Sequence, residues 1–202
     1  LQREAGLPAR DEVPVIGVVS RLDRLKGLDI MIPALETLLS EEDVQVVVLG
    51  TGADVYETQL RDLQARFPEQ MRVYIRFDER LARHIYGSAD LFLMPSLFEA
   101  GGLGQMIAMR YGAVPLVRAT GGLADTVTDI DEQPKLSTGF VFHRFETEAL
   151  VETLRRALGV YRHPQRWTSL QRRAMQKDFS WDASARAYVD LYRRARAIHA
   201  NA

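Results

Sequence analysis

Six short apolar runs recur along the chain, each followed by a stretch of helical periodicity. They are residues 14–19, 44–49, 71–77, 91–94, 113–117 and 139–143. Each is nearly uninterrupted and bounded by turn residues, the pattern of a strand covered on both faces. Between the first two, Leu28, Ile32, Leu35 and Leu39 fall on one face of a helix. Further helices are expected over residues 53–67, 79–86 and 105–111, and a short one opens at Gly121-Gly122. This alternation predicts an α/β domain with a doubly wound parallel sheet of about six strands. After the sixth run come three helical segments with no strand between them, residues 146–158, 164–177 and 182–197. The expected organisation is therefore a polar lead-in over residues 1–12, an α/β body over 13–160 and a C-terminal helical tail over 161–202. The tail would pack on the body or on a further domain. Residues 131–136 are the one surface loop excursion expected within the body.

Composition narrows the class. The chain has 202 residues, 47% of them hydrophobic, enough for a substantial core. It contains no cysteine, which excludes disulfides and thiolate metal sites and fits a cytoplasmic location. No apolar stretch approaches the roughly 20 residues that span a bilayer, so no membrane partner is expected. The sequence begins at Leu1 and not at methionine, and a fragment of a longer chain is expected. Net charge is −1, yet 11 of the 26 Lys and Arg and only 3 of the 27 Asp and Glu lie between Arg155 and His199. Those cations are spread through amphipathic helices rather than clustered. They read as a docked helical face, and no nucleic-acid partner is expected.

Candidate chemistry gathers at the strand-to-helix turns. In an open parallel sheet these turns lie at the carboxyl ends of the strands, where ligands bind. After the fourth run stand Pro95-Ser96, then Glu99, then Gly101, Gly102, Leu103 and Gly104; after the fifth stand Gly121 and Gly122. Glycine lets backbone N–H groups approach an anion, and a helix N-terminus favours negative charge. A carboxylate at Glu99 would repel a pyrophosphate but accept hydrogen bonds from sugar hydroxyls. The combination points to a nucleotide sugar. Arg21 and Lys26 flank the first turn. On the residues alone they fit either ordinary surface cations or a bracket for a diphosphate, which an arginine fork and a flexible ammonium can make. Gly50-Thr51-Gly52 at the next turn is a weaker signal, compatible with approach of a phosphate or a base. Phe77, taken alone, reads as a core aromatic. His84, His143, His163 and His199 form no spaced ligand set, and no metal or other cofactor is expected. A dinucleotide site would need G-x-G-x-x-G after the first strand and an acid ending the second; Gly50 stands there instead.

Residues 95–127, PSLFEAGGLGQMIAMRYGAVPLVRATGGLADTV, resemble the donor-site signature of bacterial glycogen synthases and plant starch synthases. Residues 172–181, RRAMQKDFSW, are similar to the end of the bacterial enzymes. The resemblance runs from about Val13 to Arg194. It implies the C-terminal, Rossmann-like half of a two-domain GT-B retaining glucosyltransferase, with an N-terminal partner domain, ADP-glucose as donor, an α-1,4-glucan as acceptor and no metal. By the same resemblance Arg21 and Lys26 are donor-phosphate ligands, Phe77 stacks on the adenine, and Glu99 lies near the donor glucose. Related glycosyltransferases carry a second glutamate eight positions after the first. Here Ile107 stands there, as expected for the glycogen and starch synthase branch. The sequence departs from the family where Ala100-Gly101 replace a Pro-Cys pair and Gly104 replaces a threonine, which gives the loop more freedom for binding to freeze.

Overall fold

A computed structural model describes residues 1–200. Six parallel strands, β1 Val15–Val19, β2 Gln45–Gly50, β3 Met71–Ile75, β4 Leu91–Met94, β5 Val114–Arg118 and β6 Phe140–Phe142, form one sheet in the order β3-β2-β1-β4-β5-β6. The expected doubly wound α/β architecture is thus present. Helices α1 Leu28–Glu41, α2 Asp54–Arg66, α3 Glu79–Ser88, α4 Gly104–Tyr111, α5 Gly121–Thr126 and α6 Thr147–Tyr161 cover the sheet. Alternate strand residues feed opposite layers. Ile16, Val18, Val46 and Val48 pack with α1, α2 and α6, and Val15, Val47, Leu49 and Phe92 pack with α3 and α4. Both faces are buried, which is why the strands read as unbroken apolar runs.

The winding reverses between β1 and β4, which pair directly through Ile16 with Leu91 and Gly17 with Phe92. From β1 the chain leaves by one face toward β2, and from β4 by the other toward β5. Their turns therefore diverge and leave a crevice at the carboxyl edge.

Three features differ in detail from the sequence pattern. The third strand ends at Ile75, so Phe77 stands beyond it in the loop and is 90% exposed. The lead-in is not merely polar: Ala5 and Leu7 are buried beside Leu81 and Ile85, and Arg72 Nε donates to Ala5 O at 2.7 Å. The two tail helices also behave differently. Helix α7, Pro164–Gln176, buries Trp167, Leu170 and Ala174 against the body, whereas α8, Trp181–Ala200, leaves Trp181, Tyr188, Leu191 and Tyr192 exposed.

Candidate functional site

The turn after β1 is shaped by a short 3-10 turn, Arg24–Lys26. Asp23 caps it, its carboxylate accepting from Lys26 N at 3.0 Å. Gly27 then adopts φ +80°, and a Cβ there would meet Pro95 O at 2.1 Å. Only glycine allows that approach, and it brings the β1 turn against the β4 turn. Leu25 O clasps the two together, accepting from Leu97 N at 2.9 Å and Phe98 N at 3.4 Å.

The clasp places Lys26 against Glu99. Nζ lies 2.5 Å from Oε2, with both side chains mostly buried. Residues 73 apart in sequence thus form a charge pair on the crevice wall. The sequence reading gave Lys26 to phosphate and Glu99 to sugar; in the structure the two pair with each other. Arg21 is exposed and lies 3.5 Å from Asp23.

The Glu99 turn is held from behind at several points. Arg118 Nε donates to Ser96 O at 2.8 Å, its guanidinium also bonds Leu97 O, and Nη1 donates to His143 O at 3.2 Å. Burial pushes the Arg118 pKa below its ordinary value. Gly122 N donates to Glu99 O at 3.2 Å, and Gln105 Nε2 donates to Gly101 O at 3.1 Å and Gly102 O at 3.0 Å. By contrast the amides of Gly102, Leu103 and Gly104 have no partner among the described residues. Gly102 has φ +72° and Leu103 is right-handed, an alternation that makes successive N–H groups converge into an anion-binding concavity.

Two adjoining cavities result. One of about 430 Å³ is lined by Ser20, Arg21, Lys26, Glu99 and Gly102 to Gly104, with Tyr86 and Met94 on its apolar side. Burial raises the Tyr86 pKa. The second, about 270 Å³ and more apolar, is lined by Gly50, Thr51, Phe77 and Ala82. Val19, Ser20 and Arg21 belong to both, so the two lobes join across the end of β1. One lobe offers cations and free amides, the other an exposed aromatic ring.

The structure therefore gathers Arg21, Lys26, Gly50, Thr51, Phe77, Glu99, Gly102, Leu103 and Gly104 around one crevice. It does not bring Gly101, Gly121 or Gly122 to its surface. Gly122 is buried behind the wall and Gly121 is exposed beside it; a Cβ on Gly121 would meet Glu99 O and one on Gly122 would meet Gly101 O, each at 2.0 Å. Their part is close backbone approach. Gly101 faces open space. The core reading of Phe77 is excluded by its exposure. Among the described residues no three His, Asp or Glu side chains gather as a metal-ligand set, and no helix is long and apolar enough to cross a membrane. Sequence reasoning missed Arg118 and Gln105. Each left a faint trace: a charge closing an apolar strand, and an amide opening a largely apolar helix.

Known proteins with this arrangement are numerous. The family model described as "Glycosyl transferases group 1" matches residues 3–173. The glycogen synthase of Moorella thermoacetica is 51% identical over 196 residues, covering 96% of this chain and 40% of the relative. That of Syntrophotalea carbinolica is 48% identical, covering 98% and 41%. The chain therefore spans about two fifths of the length of these relatives. Among solved structures, the catalytic domain of starch synthase IV from Arabidopsis thaliana, bound to ADP and acarbose, superposes with a TM-score of 0.86 at 35% identity, over 96% of this chain and 41% of that one. A sucrose-phosphate synthase from Thermosynechococcus elongatus shares the fold, with a TM-score of 0.69 at 23% identity. With most of its length matched and a crevice at the switch point of a doubly wound sheet, this chain belongs to the group 1 glycosyl transferases.

Proposed function

We propose that the chain is the donor-binding half of a glycogen or starch synthase, which transfers glucose from ADP-glucose to the nonreducing end of an α-1,4-glucan with retention of configuration. One observation carries the reading: the crevice has a phosphate-like lobe and an aromatic lobe joined across the end of β1. A nucleoside diphosphate has that polarity. Its base would stack on Phe77 beside Gly50 and Thr51. Its phosphates would reach Arg21, Lys26 and the free amides of Gly102, Leu103 and Gly104. The starch synthase that shares the fold was solved with ADP, and the similarity to glycogen synthases supports the same donor here.

In the transfer step the bond from the anomeric carbon to the diphosphate oxygen breaks and negative charge collects on the leaving ADP. Arg21, Lys26 and the preorganised amides stabilise that charge, a task for which no metal is required. Glu99 is 2.5 Å from Lys26. When phosphate oxygens take over Lys26, the carboxylate is released to face the glucose and the positive charge growing at its anomeric carbon. The acceptor groove would lie mostly on a partner domain. Exposed α8, with Trp181, Tyr188 and Tyr192, offers that domain a contact. The enzyme would work in the cytoplasm, or in a plastid in a plant.

A second reading follows from coverage of only about two fifths of the relatives: alone, the chain binds nucleotide without turnover. Titration with ADP followed by NMR tests the site. Shifts are expected at Arg21, Thr51, Phe77 and Leu103, and changes confined to α8 would refute the placement. A glucan-elongation assay on the isolated chain and on the full-length protein separates enzyme from module, with activity expected only in the latter.

A further inference from the structure

The free amides of the Glu99 turn raise the question of what aims them. Gln105 is wholly buried at the start of α4 and does not line the crevice. Its Nε2 serves Gly101 O at 3.1 Å, Gly102 O at 3.0 Å and Thr126 Oγ1 at 3.2 Å. The side-chain orientation follows from its partners. Two are carbonyls, which only accept. The third, Thr126 Oγ1, gives its proton to Gly122 O at 2.5 Å and must accept as well. The amide nitrogen therefore points at all three, and Oε1 is left buried with no partner.

An orphaned buried acceptor is a cost that packing does not require, since an apolar side chain of similar length would avoid it. What the glutamine supplies in return is the hold on two carbonyls. A trans peptide is planar, and its C=O and N–H point in opposite directions. Drawing Gly101 O and Gly102 O back to Gln105 therefore turns the N–H groups of Gly102 and Leu103 away from it. Gly102 and Leu103 line the crevice, and Gln105 lies behind them. We infer that Gln105 is a positioning residue: it fixes the Gly102 and Leu103 amides in the orientation that receives the donor's phosphates, and so sets affinity for the diphosphate without touching it.

The inference rests on the donor-site reading above, and the test separates the two. Gln105→Met keeps length and burial, abolishes the hold on the carbonyls and removes the orphaned oxygen. ADP and adenosine are titrated calorimetrically into wild type and variant, and the melting temperature is recorded. The expected result is ADP binding weakened about tenfold, adenosine binding unchanged and a melting temperature within a few degrees of wild type. Thr126→Val, which removes only the third partner, is expected to weaken ADP binding in the same direction by less, and stands as the second variant if Gln105→Met does not fold. In the full-length protein Gln105→Met should raise KM for ADP-glucose more than it lowers kcat. ADP binding equal to wild type in the variants, or equal loss of ADP and adenosine, would overturn the positioning role. Absence of ADP binding by the wild-type protein would instead overturn the donor-site reading, and this inference with it.

Discussion

Two glycine pairs open consecutive helices on neighbouring strands, yet they serve opposite purposes. Gly101-Gly102 precede α4 on the crevice side, where the amides of Gly102 and Leu103 are unpaired among the described residues. Gly121-Gly122 are the first residues of α5 and press on the protein: Gly122 N is engaged by Glu99 O, and both α-carbons lie against the backbone of the Glu99 turn. The first pair leads into the free amides of the crevice, and the second leaves room for the main chain of the first. A glycine in a strand-to-helix turn therefore does not identify a binding residue by itself. What distinguishes the four positions is what a side chain would meet: open space at Gly101, the Gln105 and Glu99 side chains at Gly102, and main chain at Gly121 and Gly122.

The largest effect should come from filling the second pair. In Gly122→Ala the new Cβ would meet Gly101 O at 2.0 Å, a carbonyl that Gln105 already fixes. The backbone must shift, and a loss of about 3 kcal/mol in unfolding free energy is expected, as for a severely overpacked core position. Denaturant unfolding measures it. ADP binding should fall as well, because the displaced segment carries the amides. A variant of wild-type stability would show that the two turns are less tightly interlocked than their contacts imply.

Next in size are the charges that the clasped turns bring together. Lys26→Ala should lower kcat/KM for ADP-glucose about a hundredfold in the full-length protein, the equivalent of about 3 kcal/mol in the transition state. It should also cost about 1 kcal/mol of stability, because Glu99, only 13% exposed, loses its partner. From sequence a lysine in a turn reads as a solvated cation whose removal leaves the fold untouched; the ion pair changes that expectation. Glu99→Gln should act in the opposite sense on binding. It frees Lys26 for phosphate, so ADP affinity is kept or tightened while turnover collapses. Steady-state kinetics beside ADP titration of both variants checks the pair. Loss of ADP binding in Glu99→Gln with turnover intact would reverse the division of labour.

The contrast between the turns also marks what the sequence could reveal. Apolar runs buried on both faces make a parallel sheet legible, because periodicity follows directly from burial on each side. Three residues that meet the crevice were legible too, since Arg21, Lys26 and Glu99 are of types that a core seldom places at strand ends. The Lys26–Glu99 pairing was not. It depends on Leu25 O and Gly27 meeting a turn some 70 residues away, and no local pattern records that contact. Gln105 and Arg118 escaped for the same reason. Their partners are main-chain carbonyls, which every residue carries and no sequence distinguishes. Phe77 needed the strand end to the residue, and a difference of two positions moves it from core to crevice.

The smallest expected effect sharpens the comparison most. Gly101 is the member of the first pair whose added Cβ would have nothing within 4 Å, and its φ is not in the left-handed region. An alanine there meets neither main chain nor strain, so stability should stay within about 0.5 kcal/mol of wild type. Because alanine narrows the conformations open to the unfolded loop, any change should lean toward stabilisation. ADP affinity should remain within about twofold, since the amides of Gly102 and Leu103 stay where Gln105 puts them. The measurement is the same unfolding and titration pair used for Gly122→Ala. If Gly101→Ala proved as damaging as Gly122→Ala, both pairs would owe their glycines to one common constraint, such as a loop that must move on binding, and the distinction between open space at Gly101 and main-chain space at Gly122 would fail.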